Sequence, residues 1–170
     1  MTTLAFKDGV LATDSRCTME GSIINDRCEK IVVRGGRCFS VVGALAQAMR
    51  FLDALTDGEN RKKLPSMEAA CCVAELLPTG NLKIYEDGGT FELHSESFTA
   101  YGSGTAAAMA AFHMGAGAVE AVEIACKVDV YSGGPISAAR WQDGKLILWG
   151  KEGGKTCEPR QPLLLEGPKA

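Results

Sequence analysis

The predicted elements place this chain in the α+β class, as antiparallel sheets with helices packed on their outer faces. Three observations carry that reading. Strands and helices come in blocks (strands, one helix, strands, two helices, strands), not in the strand–helix alternation of a parallel sheet. Short β-prone runs are joined by Asp-Gly, Gly-Gly and Pro-Thr-Gly-Asn turns, the chemistry of hairpins. Finally, 170 residues with 46% hydrophobic and 23% charged side chains suit a single domain, 1–170, that buries about two-thirds of its unfolded surface.

Taken in order, residues 3–6 and 10–13 read as strands around Lys7-Asp8-Gly9, and 29–34 and 38–42 as a second pair around Gly35-Gly36. From Gly43 the period changes: Leu45, Met49, Leu52 and Leu55 follow helical spacing until Asp57-Gly58 ends the run. Gly43 therefore stands where a strand hands over to a helix N-terminus. Residues 60–65 are polar and read as a loop. Strands follow at 71–77 and 82–85, flanking Pro78-Thr79-Gly80-Asn81, and at 90–93 and 98–101. After Gly102-Ser103-Gly104, the alanine-rich stretch 105–115 is helical by propensity, and 115–117 breaks it. A second helix carries Val119, Val122, Cys126 and Asp129 on one face and stops at Tyr131-Ser132-Gly133-Gly134-Pro135. Residues 136–141 and 145–149 close with a hairpin across Gln142-Asp143-Gly144. From 151 to 170 the composition predicts a loosely ordered tail, apart from 163–165.

Composition excludes several function classes. A net charge of −3 without a basic stripe gives no footprint for nucleic acid. No segment reaches the ~18 apolar residues a membrane span requires, and the start lacks the pattern of a signal peptide. The seven cysteines are odd in number and lack C-x-x-C spacing with histidine partners, which argues against a disulfide framework and a zinc site. A reducing cytoplasm, with no metal and no cofactor, is the expectation. His94 and His113 are far apart and no nucleophile elbow accompanies them, so a histidine-dependent triad finds no support.

The chain opens MTTLAFKDGVLATDSR. With Met1 removed, Thr2 carries a hydroxyl and a free α-amine on one residue. An α-amine titrates near ~7.7–8.0, close to the working range of a general base, and threonine paired with its own amine is an activated nucleophile.

In order along the chain, TTLAFKDGVLATDSR, CEKIVV, FSVVGALAQ, YGSGTAAA and DVYSGG resemble the β-type subunits of proteasomes and their bacterial relatives such as HslV. These are N-terminal-nucleophile hydrolases. The resemblance runs from Thr2 to about Gly134. It implies a four-layer αββα sandwich, two antiparallel sheets between helix layers, and a threonine-type peptidase without a cofactor. Residue by residue, Thr2 matches the nucleophile, Asp14 the carboxylate that pairs with the catalytic lysine, Lys30 that lysine, and Gly43 the oxyanion glycine. Ser103, Asp129 and Ser132 match the polar set that positions the terminal amine and the water. The first specificity pocket would be lined by Cys17, Cys28, Val32, Val41, Leu45 and Met49, a neutral wall favouring cleavage after apolar residues. Thr18 falls where the family pairs with the substrate backbone.

The same resemblance implies a homo-oligomeric ring acting on peptides or unfolded proteins, with a possible ATPase unfoldase as partner. Two alternatives stand beside it: a catalytically silent ring subunit, and a stand-alone amidohydrolase for small amides. Departures from the family pattern are visible. The strand leading to Asp14 is short, Ala44 stands where many relatives have a second glycine, and 57–71 is too little chain for the usual second helix, which weakens the ring expectation.

Overall fold

Four two-residue turns, Asp8-Gly9, Glu20-Gly21, Gly35-Gly36 and Asp143-Gly144, each have both residues at positive φ, the requirement of the tight turns that match strand twist. They set the strand pairing in the computed structural model, which describes residues 2–57, 64–68, 70–87, 89–152 and 155–163. The elements are β1 (Thr3–Lys7), β2 (Val10–Thr13), β3 (Cys17–Met19), β4 (Ser22–Asn25), β5 (Ile31–Arg34), β6 (Arg37–Val42) and α1 (Leu45–Thr56). Then come β7 (Cys72–Leu76), β8 (Leu82–Glu86), β9 (Gly89–Leu93), β10 (Phe98–Gly102), α2 (Thr105–His113) and α3 (Ala118–Val128). The chain closes with β11 (Ile136–Gln142), β12 (Lys145–Glu152) and β13 (Lys155–Leu163).

Among the described residues three antiparallel sheets result: six strands in the order β10-β1-β2-β11-β12-β13, five as β5-β6-β7-β8-β9, and the β3-β4 hairpin by itself. The period of two in β1 and β2 sorts side chains to opposite faces. Leu4, Phe6 and Leu11 join Cys38, Val42, Cys72, Ala74, Leu76, Leu82 and Ile84 in a core shared by the two larger sheets. Ala5 and Ala12 face the other way, where Ala100, Ala138, Ala108, Ala111, Ala121 and Ala125 let α2 and α3 lie close against the six-stranded sheet. On the five-stranded sheet, Phe39, Val41 and Val73 pack beneath α1 through Ala48, Phe51 and Leu52. Trp141 joins the two sheets, its Nε1–H donating to the Leu76 carbonyl at 2.9 Å.

The four-layer αββα sandwich expected above is not what forms. The described residues make three sheets and three short helices, of 12, 9 and 11 residues. Among the described residues α1 alone covers its face of the five-stranded sheet, because residues 64–68 are not helical and little chain remains between α1 and β7. Residues 17–25 separate into their own hairpin, exposing Met19, Ile23 and Ile24. The tail also differs from expectation. Lys155–Leu163 is a strand paired with β12 across register shifts, since β12 would otherwise present an open edge. The predicted loop at 60–65 falls mostly outside the described residues, as does 164–170. The second helix stops one residue earlier than expected, with Asp129 as its C-cap. No described helix is long and apolar enough to cross a membrane.

Candidate active site

The carboxylate of Asp14, just past β2, is the hub. Its Oδ1 accepts the Thr3 N–H at 2.8 Å and the Lys30 ammonium at 2.7 Å, and its Oδ2 accepts the N–H groups of Arg16 and Gly133, both at 3.1 Å. Neither partner of the ion pair reaches solvent: the Lys30 side chain is 4% exposed and that of Asp14 0%. Lys30 also donates to the Arg16 carbonyl at 2.7 Å. Burial of a charged pair costs several kcal/mol unless hydrogen bonds satisfy it, and four donors on one carboxylate do so here.

Thr2 precedes β1 and is buried. The Ser103 N–H donates to its carbonyl at 3.2 Å, and Gly102 (φ +96°) passes so close that a Cβ there would overlap the same oxygen. The close approach and the positive φ both demand glycine. Gly102→Ala is therefore expected to destabilise the protein by about 2 kcal/mol or more, read as a lower urea midpoint at unchanged slope.

Thr2, Lys30 and Gly43 line one small pocket of about 20 Å³ together with Cys17, Cys28, Val41 and Leu45, barely room for one water. Burial, reinforced by a hydrogen bond with Cys17, pushes the Cys28 thiol up from its ordinary value. Val32 and Met49, expected in this lining, pack instead in the core beneath α1, and Thr18 sits in β3 opposite Ile23. On its other side Thr2 opens onto a cavity of about 720 Å³ whose walls include Gly43, Cys71, Tyr101, Glu68 and Glu86.

Ser132 and Asp129 are joined, Ser132 Oγ donating to Asp129 Oδ2 at 2.6 Å. They reach Thr3, not Thr2: Thr3 Oγ1 lies 2.5 Å from Ser132 Oγ and accepts the Gly104 N–H at 3.0 Å. Because the Ser132 proton is spent on Asp129, Thr3 donates to Ser132. The chain runs Gly104 N–H to Thr3 to Ser132 to the Asp129 carboxylate, each bond polarising the next. Burial works against Asp129 ionising, but the Ser103 and Ser132 hydroxyls and the Tyr131 N–H prevail and hold its carboxyl below the ordinary 3.8. Ser103 Oγ exerts that pull without well-formed hydrogen-bond geometry: it is buried with no hydrogen-bond partner among the described residues.

Three contributors escaped the sequence reading. Thr3 stands beside the nucleophile candidate yet holds the polar chain together. Arg16, in the same TDSR stretch, pairs with Asp26 at 2.7 Å and donates to the Val130 carbonyl at 3.1 Å, tying the end of α3 to the β4 side; its hydrogen bond holds the Asp26 carboxyl low. Cys71 packs against Gly43. Only Arg16 carried a signal, a basic residue two positions after Asp14.

No family model and no curated protein matches the sequence. The structure is similar to that of Thiobacillus denitrificans BPH in complex with epoxomicin, with a TM-score of 0.59 at 17% identity, over 83% of this chain and 98% of that one. At that identity the likeness is one of fold.

Proposed function

We propose that the chain is a threonine-type N-terminal-nucleophile hydrolase of the proteasome kind, acting on amide bonds through Thr2 once the Met1–Thr2 bond has been cut. The observation that carries this reading is one pocket walled by Thr2, Lys30 and Gly43, with the Lys30 ammonium held by a fully buried Asp14. The fold neighbour, whose structure contains epoxomicin, adds support.

In this mechanism the freed α-amine of Thr2 takes the Oγ1 proton as Oγ1 bonds to the amide carbon. The Lys30 charge favours the ionised hydroxyl, and Asp14 keeps that ammonium in place. The oxyanion receives the Gly43 N–H at the start of α1, where the helix dipole favours negative charge. Collapse breaks the C–N bond, the protonated α-amine of Thr2 gives its proton to the leaving amine, and water then releases the acyl group by the same route. The thiol, Val41 and Leu45 walls favour an apolar acyl-side residue, and the pocket's size favours a small one. The reading includes a homo-oligomeric ring, supported by the apolar side chains exposed on β3–β4.

The test is incubation with a peptide epoxyketone, followed by intact-mass measurement and peptide mapping. The expected result is a single adduct on the N-terminal peptide at Thr2 in protein lacking Met1. Protein lacking Met1 that acquires no adduct at Thr2 overturns the mechanism, and protein that keeps Met1 and hydrolyses nothing is a silent subunit.

A further inference from the structure

Helix α1 starts without the usual device for its first N–H groups. Its N-cap is Ala44, which makes no side-chain cap, and alanine is among the poorest residues there. The N–H of the N-cap residue itself is held by a sulfur. The Ala44 N–H lies 3.1 Å from Cys71 Sγ, a thiol only 3% exposed. Cys71 is itself anchored: its S–H points to Gln47 Oε1 at 3.7 Å, and its N–H donates to the Glu68 carbonyl at 2.8 Å. Gln47 and Glu68 then bond each other twice, at 2.6 and 3.2 Å. The turn rests on the same residue, since a Cβ on Gly43 (φ +91°) would meet the Ala70 carbonyl at 2.5 Å and Cys71 Sγ at 2.7 Å.

Of the two N–H groups at the 43–44 turn, the one on Ala44 is thus engaged by sulfur. The other belongs to the glycine that lines both cavities at Thr2. We propose that Cys71 is a positioning residue for the oxyanion donor: by holding the Ala44 N–H and filling the space under Gly43, its thiol fixes the orientation of the Gly43 N–H. The inference rests on the reading of Gly43 given above. It explains why the second glycine of related turns is dispensable here, because an alanine whose N–H is tied to Cys71 needs no extra backbone freedom.

The test compares Cys71→Ala, which removes the acceptor, with Cys71→Ser, which keeps a donor and acceptor of similar size. Two readouts are taken: steady-state amide hydrolysis, and amide hydrogen exchange at Ala44 by NMR, which does not depend on activity. Cys71→Ala is expected to lower kcat about ten- to hundredfold with KM within about twofold, as for a misplaced transition-state donor, and to speed exchange at Ala44 at least about tenfold. Cys71→Ser is expected to restore most of both. Gln47→Leu, which leaves the sulfur but frees it from its anchor, gives a smaller change in the same direction and serves if the alanine variant does not fold. Active wild type with an alanine variant of equal kcat, or unchanged Ala44 exchange, overturns the inference. Inactive wild type lacking Met1 overturns the proposed function instead, and the exchange data still decide whether Cys71 holds the Ala44 N–H.

Discussion

Lys30→Met is expected to abolish the proposed amide hydrolysis and to lower stability by about 3–5 kcal/mol, the cost of removing one partner from a buried ion pair. Methionine fills much of the volume, so little of that loss is cavity. What remains is the Asp14 carboxylate, fully buried and stripped of its only charged hydrogen-bond partner among the described residues. The three backbone N–H groups that still reach it place the loss toward the lower end of the range. In a chain of this size it appears as a fall in Tm on the order of 10 °C. Asp14→Ala costs at least as much, because it strands an ammonium and three N–H donors together. The pair is measured by urea unfolding of both single variants and the double variant. A Lys30→Met protein within about 0.5 kcal/mol of wild type would show that the pair is not an energetic unit.

Thr2→Ala and Thr3→Ala should separate the two neighbouring hydroxyls. Removing the Thr2 hydroxyl is expected to reduce kcat by at least about 10³-fold while shifting Tm by no more than a few degrees, since the contact the fold takes from Thr2 is its carbonyl, bonded to Ser103. Thr2→Ser retains the nucleophile class and most of the activity. Thr3→Ala acts differently: it leaves the Gly104 N–H without its acceptor and breaks the link to Ser132, costing about 1–3 kcal/mol for the unsatisfied buried donor with a milder loss of rate. Calorimetry and steady-state kinetics on the three proteins decide. An active Thr2→Ala beside an inactive, folded Thr3→Ala would move the nucleophile by one residue.

Much of the strand register was legible, because Asp-Gly and Gly-Gly dictate where a chain must turn whatever surrounds it. The β3–β4 hairpin was not. Its strands are three and four residues long and place Met19, Ile23 and Ile24 in solvent, so no buried face imposes a period on the sequence. The layered sandwich failed for a related reason: a resemblance transfers an architecture, whereas chain length between α1 and β7 decides how many helices can be built. Within the site, Asp14 and Lys30 were paired by the resemblance alone, and the structure brings the two together at 2.7 Å. Val32 and Met49 were misplaced because periodicity says that a face is covered, and α1 and the pocket both cover it. Thr3 and Cys71 gain their roles from partners far along the chain, Ser132 and Ala44, which no local pattern announces.

The four donors on Asp14 come from residues 2, 11, 16 and 119 positions away in the chain. The first three lie within the segment that ends before β5, whereas Gly133 follows both helices of the six-stranded sheet. A segment that stops short of Gly133 therefore lacks one of the four hydrogen bonds that fix this carboxylate. Completion of the Asp14 network is thus tied to the return of the chain into the six-stranded sheet at β11. For a chain read as a hydrolase of its own kind of polymer, that dependence is a safeguard written into topology.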